Sequence, residues 1–448
     1  MTRTFWIESL GCPKNEVDGE AIEGFLRDQG YEAARDRAGA DLLVLNTCGF
    51  IQPAKQESIG ELFELVRLKG QDGAKKIIVC GCLAQRYPDE LWKKIPEVDA
   101  VVGIGEIAQV GSVCASVLKG ERVLRVGTPG TSDGIRESRR NPKGRPFAYI
   151  KIADGCDNRC SYCAIPAIRG SFRSKKPGCI LEEARQLAEQ GVKEINLVAQ
   201  DTTFYGVDLP GEARLPKLLS SLSRIPELVW IRLLYAHPAH FTDELIDQIA
   251  ANPKVCKYVD LPLQHVSDEI LKNMNRKVTR KRVEQLISKL RERIPGLTLR
   301  TSFIVGFPGE NKKHFEELLG FVEQARFEKL GVFAYSREEG TRAYRFKTQV
   351  PSRVKQERLD RLMLAQQRIA FENNREKVGK TLTVLIDGRS QDGDGLFAGR
   401  SEGEAPEVDG VVLMRGDHLK PGLLVKARVV SYRDYDLVAE TQKEVRHG

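Results

Sequence analysis

Between Phe147 and Ser336 the chain repeats one pattern six times, and this repetition constrains the fold more than any other feature. The apolar runs "FAYIKIADGC", "EINLVAQD", "VWIRLLYAHP", "KYVDLPLQH", "LTLRTSFIVGFPG" and "KLGVFAYS" read as buried strands. Helical segments such as "LEEARQLAEQ", "TDELIDQIAANP" and "VEQLISKLRERIP" separate them. Short apolar runs alternating with amphipathic stretches imply parallel strands joined by crossover helices. Six β/α units in a row favour a partial (β/α)6 barrel over a doubly wound sheet.

The flanking segments read differently. Residues 1–130 also alternate, through "RTFWIESL", "DLLVLNTC", "KKIIVCGC" and "AVVGIGE", with helices over "EVDGEAIEGFLRDQG" and "QESIGELFELVRLKG". The expectation is a separate parallel α/β sheet domain. Residues 131–146, rich in Gly, Pro and charge, read as a linker to a central domain at 147–378 that ends in a long charged helix. Residues 379–448 turn to short β pieces at close spacing, which predicts a small antiparallel β-barrel. The fold class is therefore α/β with a C-terminal β domain.

Hydrophobic content of 41% and charged content of 29% exclude a disordered chain. No run of ~18 apolar residues predicts a membrane span. The N-terminus lacks a basic region followed by an apolar stretch, so no secretory signal is expected. Ten cysteines are too few for a disulfide scaffold in 448 residues. The reading is a cytoplasmic protein whose clustered cysteines do metal or redox chemistry.

One such cluster is explicit. "ADGCDNRCSYCAIP" places Cys156, Cys160 and Cys163 as C-x3-C-x2-C just past the first barrel strand. Active sites of parallel barrels form at that end. Zinc fits poorly, since the next cysteine is Cys179 and no histidine follows closely. A simple ferredoxin fits poorly as well, because it supplies four thiolates. Three thiolates leave one coordination position open, as catalytic metal centres do. A second trio has no local motif. Cys12, Cys48 and Cys82 each fall at the C-terminal end of an expected parallel strand, where one crevice forms. Gly11, Gly49 and Gly81 neighbour them and would permit close backbone approach to a bulky cluster. Cys80 lies two residues before Cys82 on the same strand face, and periodicity does not choose between them.

The C-x3-C-x2-C loop after the first strand resembles the radical S-adenosylmethionine (SAM) superfamily, and the aromatic Tyr162 matches it too. "SLGCPKNEVDGE", "LNTCGF" and "GCLAQRY" are similar to the N-terminal domain of the methylthiotransferases, over essentially the whole chain. That family ends in a small β-barrel called TRAM. The resemblance implies SAM and two [4Fe–4S] clusters, one on Cys156, Cys160 and Cys163, the other on Cys12, Cys48 and Cys82 rather than Cys80. It assigns no catalytic residue beyond these ligands. The superfamily's Gly-Gly-Glu for the SAM amine is replaced here by "LVAQDTT", which makes Gln200 or Asp201 the candidate. "SFIVGFPGE" looks like the adenosine-contacting segment, around Gly306. The implied reaction converts C–H to C–SCH3, with one SAM as methyl donor and another as radical source. Such a C–H bond offers no proton within reach of a general base, so a radical from the cofactor must do the work.

"SLGCPKN" and "YVDLPLQHVSDEILKNMNRKVT" look like the ribosomal branch of that family. The implied substrate is the β-carbon of an aspartate in small-subunit ribosomal protein S-twelve, free or in the small ribosomal subunit. The alternative is a tRNA adenosine. RNA affinity needs Lys and Arg, yet residues 379–448 carry 10 Lys and Arg against 12 Asp and Glu. The stretch from Asp387 to Asp409 holds seven acidic residues and two basic ones. An acidic face suits a basic ribosomal protein, so tRNA is not the expected partner. The basic runs "RESRRNPKGR" and "EGTRAYRFK" read equally as contacts or as solvated linkers. His265 reads as a strand-end residue with a hydrogen bond, more than as a substrate contact. A reductant such as flavodoxin or ferredoxin and a monomeric state complete the expectation.

Overall fold

The computed structural model describes residues 3–129, 144–211, 214–391, 393, 395–416 and 418–442. Most of the expected linker, 131–143, lies outside the described residues. The first sheet is wholly parallel, in the order β2-β1-β3-β4-β5-β6. Its strands are β1 (Thr4–Ser9), β2 (Glu32–Ala33), β3 (Leu42–Thr47), β4 (Lys76–Gly81), β5 (Ala100–Val102) and β6 (Val123–Arg125). Helices α1 (Pro13–Asp28), α2 (Gln52–Gln71), α3 (Cys82–Arg86), α4 (Pro88–Lys94) and α5 (Val110–Leu118) cover it. Every residue of β3 is buried, as a central strand covered on both faces requires.

The second sheet is parallel and open. Its order is β14-β13-β12-β11-β10-β7, and among the described residues no pairing joins β7 to β14. The strands are β7 (Phe147–Lys151), β10 (Glu194–Val198), β11 (Trp230–Leu233), β12 (Val255–Asp260), β13 (Thr298–Val305) and β14 (Lys329–Ala334). A two-stranded ribbon, β8 (Ala153–Asp154) with β9 (Arg173–Ser174), frames the cysteine loop. Helices α6 (Ile165–Arg169), α7 (Pro177–Glu189), α8 (Leu215–Leu222), α9 (Asp243–Ala251), α10 (Asp268–Asn273), α11 (Arg280–Arg293) and α12 (Lys312–Ala325) follow in turn. Alternate strand residues Ile150, Ile195, Leu197, Ile231 and Leu299 form one core with Ala184, Leu187, Leu219, Ile249 and Leu290 of the helices. Tyr149, Glu194, Arg232 and Tyr258 carry the opposite phase and line the concave face.

Helix α13 (Ser352–Lys377) leads to a closed five-stranded barrel, ordered β15-β16-β17-β19-β18. Its strands are β15 (Thr381–Arg389), β16 (Leu396–Arg400), β17 (Val412–Arg415), β18 (Leu424–Arg433) and β19 (Asp436–Thr441). All pairings are antiparallel except β17 with β19. The loop after β16 enters the concave face of the large sheet. Tyr149 donates to Pro406 O at 3.0 Å, Tyr258 donates to Asp409 Oδ2 at 2.7 Å, and Arg232 donates to Glu402 O at 2.6 Å.

This docking corrects the charge argument made from the sequence. Asp387 pairs with Arg400, Glu407 with Arg145, and Asp409 faces Arg300. Of the described acids in this stretch, Asp387, Glu404, Glu407 and Asp409 are thus committed to cations of their own chain. Asp392 and Asp394 lie outside the described residues. Glu404 accepts from Ser401 N at 3.1 Å and faces Lys377 at 3.4 Å and Lys329 at 3.9 Å. Burial opposes its charge, but the two lysines hold it down at about 2. A carboxyl with a depressed folded value stabilises the fold above the ordinary glutamate range and ceases to as pH falls through the folded value. Wild-type protein should therefore lose ~3 kcal/mol between roughly pH 4.5 and 2. Glu404→Gln should lack that slope, which denaturant unfolding at each pH measures.

Candidate active site

The two cysteine trios sit at the strand ends of two different sheets. Strands β1, β3 and β4 are neighbours in register, with Ser9 opposite Asn46 and Thr47 opposite Gly81. Cys12, Cys48 and Cys82 follow those strands directly, so their loops lie side by side. A Cβ on Gly11 would come within 2.6 Å of Cys48 Cβ and 2.8 Å of its Sγ, and φ is +92°. A Cβ on Gly49 would meet Leu83 N at 2.8 Å. These glycines let the loops press on one another; the close approach expected toward a cluster is between the loops themselves. Asn15 Nδ2 ties them further, donating to Leu10 O at 2.8 Å and to Asn46 O and Thr47 O at 3.2 Å. Cys80 turns instead into the sheet core, fully buried, with Sγ 3.6 Å from Leu45 O.

Burial, with the neighbouring Cys82 and Cys12 adding to it, pushes the Cys48 thiol up to about 12. Burial raises Cys82 too, with Arg169 opposing. Cys12 thus opposes ionisation of both Cys48 and Cys82, and a metal centre would balance the charge of such a site. Binding it displaces protons, so loading should favour alkaline buffer. Cys12 is also the residue at the N-cap of the 16-residue α1.

The second trio occupies the loop that leaves β8. Backbone bonds hold this loop rigidly: Cys156 N to Gly170 O at 3.1 Å, Ser161 N to Met274 O at 2.9 Å, and Ala343 N to Ser161 O at 2.8 Å. Burial pushes Cys156 up to about 11 and raises Cys163. Arg276 reaches Cys160 Sγ at 3.6 Å and anchors to Pro262 O at 2.6 Å. A cavity of about 200 Å³ opens beside the loop, lined among others by Cys156, Asn158, Asp201, Phe204, His240 and Lys277. Asp201 accepts from Asn158 Nδ2 at 2.8 Å and Thr203 Oγ1 at 2.6 Å, and meets His240 Nδ1 at 2.7 Å. Burial opposes its charge, yet the hydrogen bond to His240 holds it below the usual carboxylate range.

The other residues singled out in the sequence lie outside this cavity's lining. Gln200 Nε2 donates to Asp154 Oδ1 at 3.1 Å, and its buried Oε1 has no hydrogen-bond partner among the described residues. Tyr162 packs against the cluster of Ile270, Met274, Phe307, Tyr335 and Ala343. Gly306, at φ +71°, donates its N–H to Glu310 Oε2 at 2.9 Å. His265 is fully buried at a strand end; its Nδ1 accepts from Ser267 N at 3.0 Å, while its Nε2, 3.5 Å from Glu310, makes no hydrogen bond among the described residues. His240, Arg276, Asp18 and Arg169 were not singled out. Each acts through a partner far away in sequence, and no local pattern marks them.

The trios share a wall. Ala164, next to Cys163, and Ile168 pack directly against Cys82. A parallel partial barrel with a three-cysteine loop and cavity at its strand ends, backed by a second three-thiol site, defines a radical-SAM enzyme with an auxiliary metal centre. Models of three families match: the radical SAM superfamily over residues 150–322, uncharacterized protein family UPF0004 over 4–103, and the TRAM domain over 378–441. "Ribosomal protein uS12 methylthiotransferase RimO" of Heliobacterium modesticaldum is 49% identical over 444 residues, 99% of this chain and 96% of its own. The proteins of the same name from Pelotomaculum thermopropionicum and Geobacter sulfurreducens are each 47% identical, covering 97% and 96% of this chain and 98% and 97% of their own. The chain belongs to the RimO family of methylthiotransferases. Among solved structures, the radical SAM methyltransferase TsrM of Kitasatospora setae superposes with a TM-score of 0.57 at 16% identity, over 89% of this chain and 81% of TsrM. The cobalamin-dependent radical enzyme OxsB gives 0.54 at 14%, over 82% and 56%. These two likenesses are of fold.

Proposed function

We propose that this chain attaches a methylthio group to the β-carbon of an aspartate in ribosomal protein uS12. The observation that carries the reading is identity of 47–49% to uS12 methylthiotransferases along nearly the entire chain. Cys156, Cys160 and Cys163 would hold one [4Fe–4S] cluster, and Cys12, Cys48 and Cys82 the other. Both trios suit that role, because each groups three thiols. When bound, SAM and the clusters supply the methyl group, the radical and the sulfur. The residues of the chain do the rest. Asp201, kept ionised by its hydrogen bond to His240, offers a carboxylate to the SAM amine. Phe172 and Phe204, edge to face at 5.1 Å, exclude water from the cavity. The shared wall at Ala164 holds both centres in one rigid frame. A flavodoxin or ferredoxin supplies electrons to a monomer in the cytoplasm. Among the described residues no helix is long and apolar enough to cross a membrane.

The test is mass spectrometry of uS12 and of tRNA from cells with and without the gene. The expected result is loss of one methylthio group from uS12 alone. Loss from tRNA alone would transfer the assignment to the tRNA branch.

A further inference from the structure

Arg169 ends α6, six residues after Cys163, and is 1% exposed. A guanidinium removed from water must find partners for its donors. Nη1 meets Asp154 Oδ2 at 3.0 Å and Oδ1 at 3.2 Å. Nη2 meets Asp18 Oδ2 at 2.8 Å, Asn15 Oδ1 at 3.4 Å and Cys82 Sγ at 3.5 Å. Lys151 completes the set, bonded to Asp18 and 3.3 Å from Asp154. Two cations and two carboxylates already balance. The further approach of Nη2 to a sulfur is more than charge pairing needs.

That approach joins two centres. Cys82 belongs to the trio of the first sheet, while Asp154 sits two residues before Cys156 at the root of the other cysteine loop. One planar side chain therefore spans from the sulfur of one trio to the base of the other. Lysine, a point donor, cannot make that span.

We propose that Arg169 is a positioning residue for the auxiliary cluster: its N–H···S hydrogen bond orients the Cys82 sulfur and raises the cluster's reduction potential. The inference rests on the ligand set proposed above. Charge-assisted hydrogen bonds to ligand sulfurs stabilise the more negative, reduced form. The reaction gives that effect a use. A carbon radical brings one electron to the new C–S bond and a sulfur lone pair brings two, so one electron is left over. A centre held at raised potential accepts it.

The test uses the full chain with Cys156, Cys160 and Cys163 replaced by alanine, so that one cluster remains. Its midpoint potential is measured by titration under electron paramagnetic resonance, with iron content alongside. Arg169→Gln is expected to keep the iron and shift the potential down. Arg169→Lys, which keeps the charge, is expected to shift it down by less, and decides the matter if the glutamine variant does not fold. Asp18→Asn removes a negative charge from the same network and is expected to shift the potential up. A purely structural role would move the Asp18 and Arg169 variants in the same direction. Unchanged potentials in both Arg169 variants would overturn the proposal. A parent variant that binds no iron would overturn the ligand set first, and the proposal with it.

Discussion

Replacing Cys156, Cys160 and Cys163 together by alanine is expected to abolish SAM cleavage and to halve the iron and sulfide bound by the reconstituted protein. The loss should be complete, because an alanine offers no ligand and nothing nearby replaces it. Cys179 is exposed on α7, and Cys114 and Cys256 are buried elsewhere. The fold should survive. The loop is held by main-chain bonds from Cys156 to Gly170 and from Ser161 to Met274, and by the Ser161 hydroxyl donating to Asn273 O at 2.7 Å. None of these involves a thiol. Each lost sulfur contact should cost about 1 kcal/mol, within the range of ordinary substitutions. The complementary variant, with Cys12, Cys48 and Cys82 replaced, should keep SAM cleavage and lose product formation. Full iron retention by the first variant would remove the ligand assignment.

The cysteine loop and the strands around it were legible because their signals are local. Fully buried parallel strands leave continuous apolar runs, and a three-cysteine spacing is visible on its face. The second trio was legible only through topology: strands that share a sheet end at one edge. The choice between Cys80 and Cys82 was not. The rule that residues two apart share a strand face holds only while the strand continues, and β4 ends at Gly81. Cys82 already opens α3, so its side chain leaves the sheet core where Cys80 stays. Strands β2 and β6 have two and three residues and were missed for want of any pattern to read. The parallel pairing of β17 with β19 was missed because closely spaced strands suggest hairpins, and barrel closure is a long-range event. The pairing of the acidic stretch near Glu404 was not legible for a related reason. Composition counts charges without their partners, and these are Arg400 of the barrel itself, Arg145 ahead of β7, Arg300 and Lys329 on the central sheet, and Lys377 on α13.

The second large effect is expected at that interface. Glu194→Ala should destabilise the docked C-terminal barrel by ~3–5 kcal/mol, the usual cost of breaking a buried ion pair. Glu194 is fully buried on the concave face, accepting from Arg232 Nε at 2.8 Å and from Arg400 Nη1 at 2.5 Å. Burial opposes its charge, but the two arginines hold it ionised, below its ordinary range. Arg400 also grips Asp387, at 2.7 and 2.8 Å. Removing the carboxylate leaves two buried guanidiniums with one acid between them. Denaturant unfolding should show the lower midpoint, and limited proteolysis after α13 should quicken. SAM cleavage should change little, because the cavity at Cys156 lies at the opposite ends of the strands. Desolvating three charges costs about as much as their pairing returns. Replacing Glu194, Arg232 and Arg400 together by apolar residues of similar volume, with Asp387→Asn added so that no acid is left without its arginine, should therefore recover most of the lost stability. If it does, the network's role is to fix where the loop after β16 enters the large sheet, with little net stabilisation. If the single and combined variants are equally unstable, the ion pairs themselves hold the interface together.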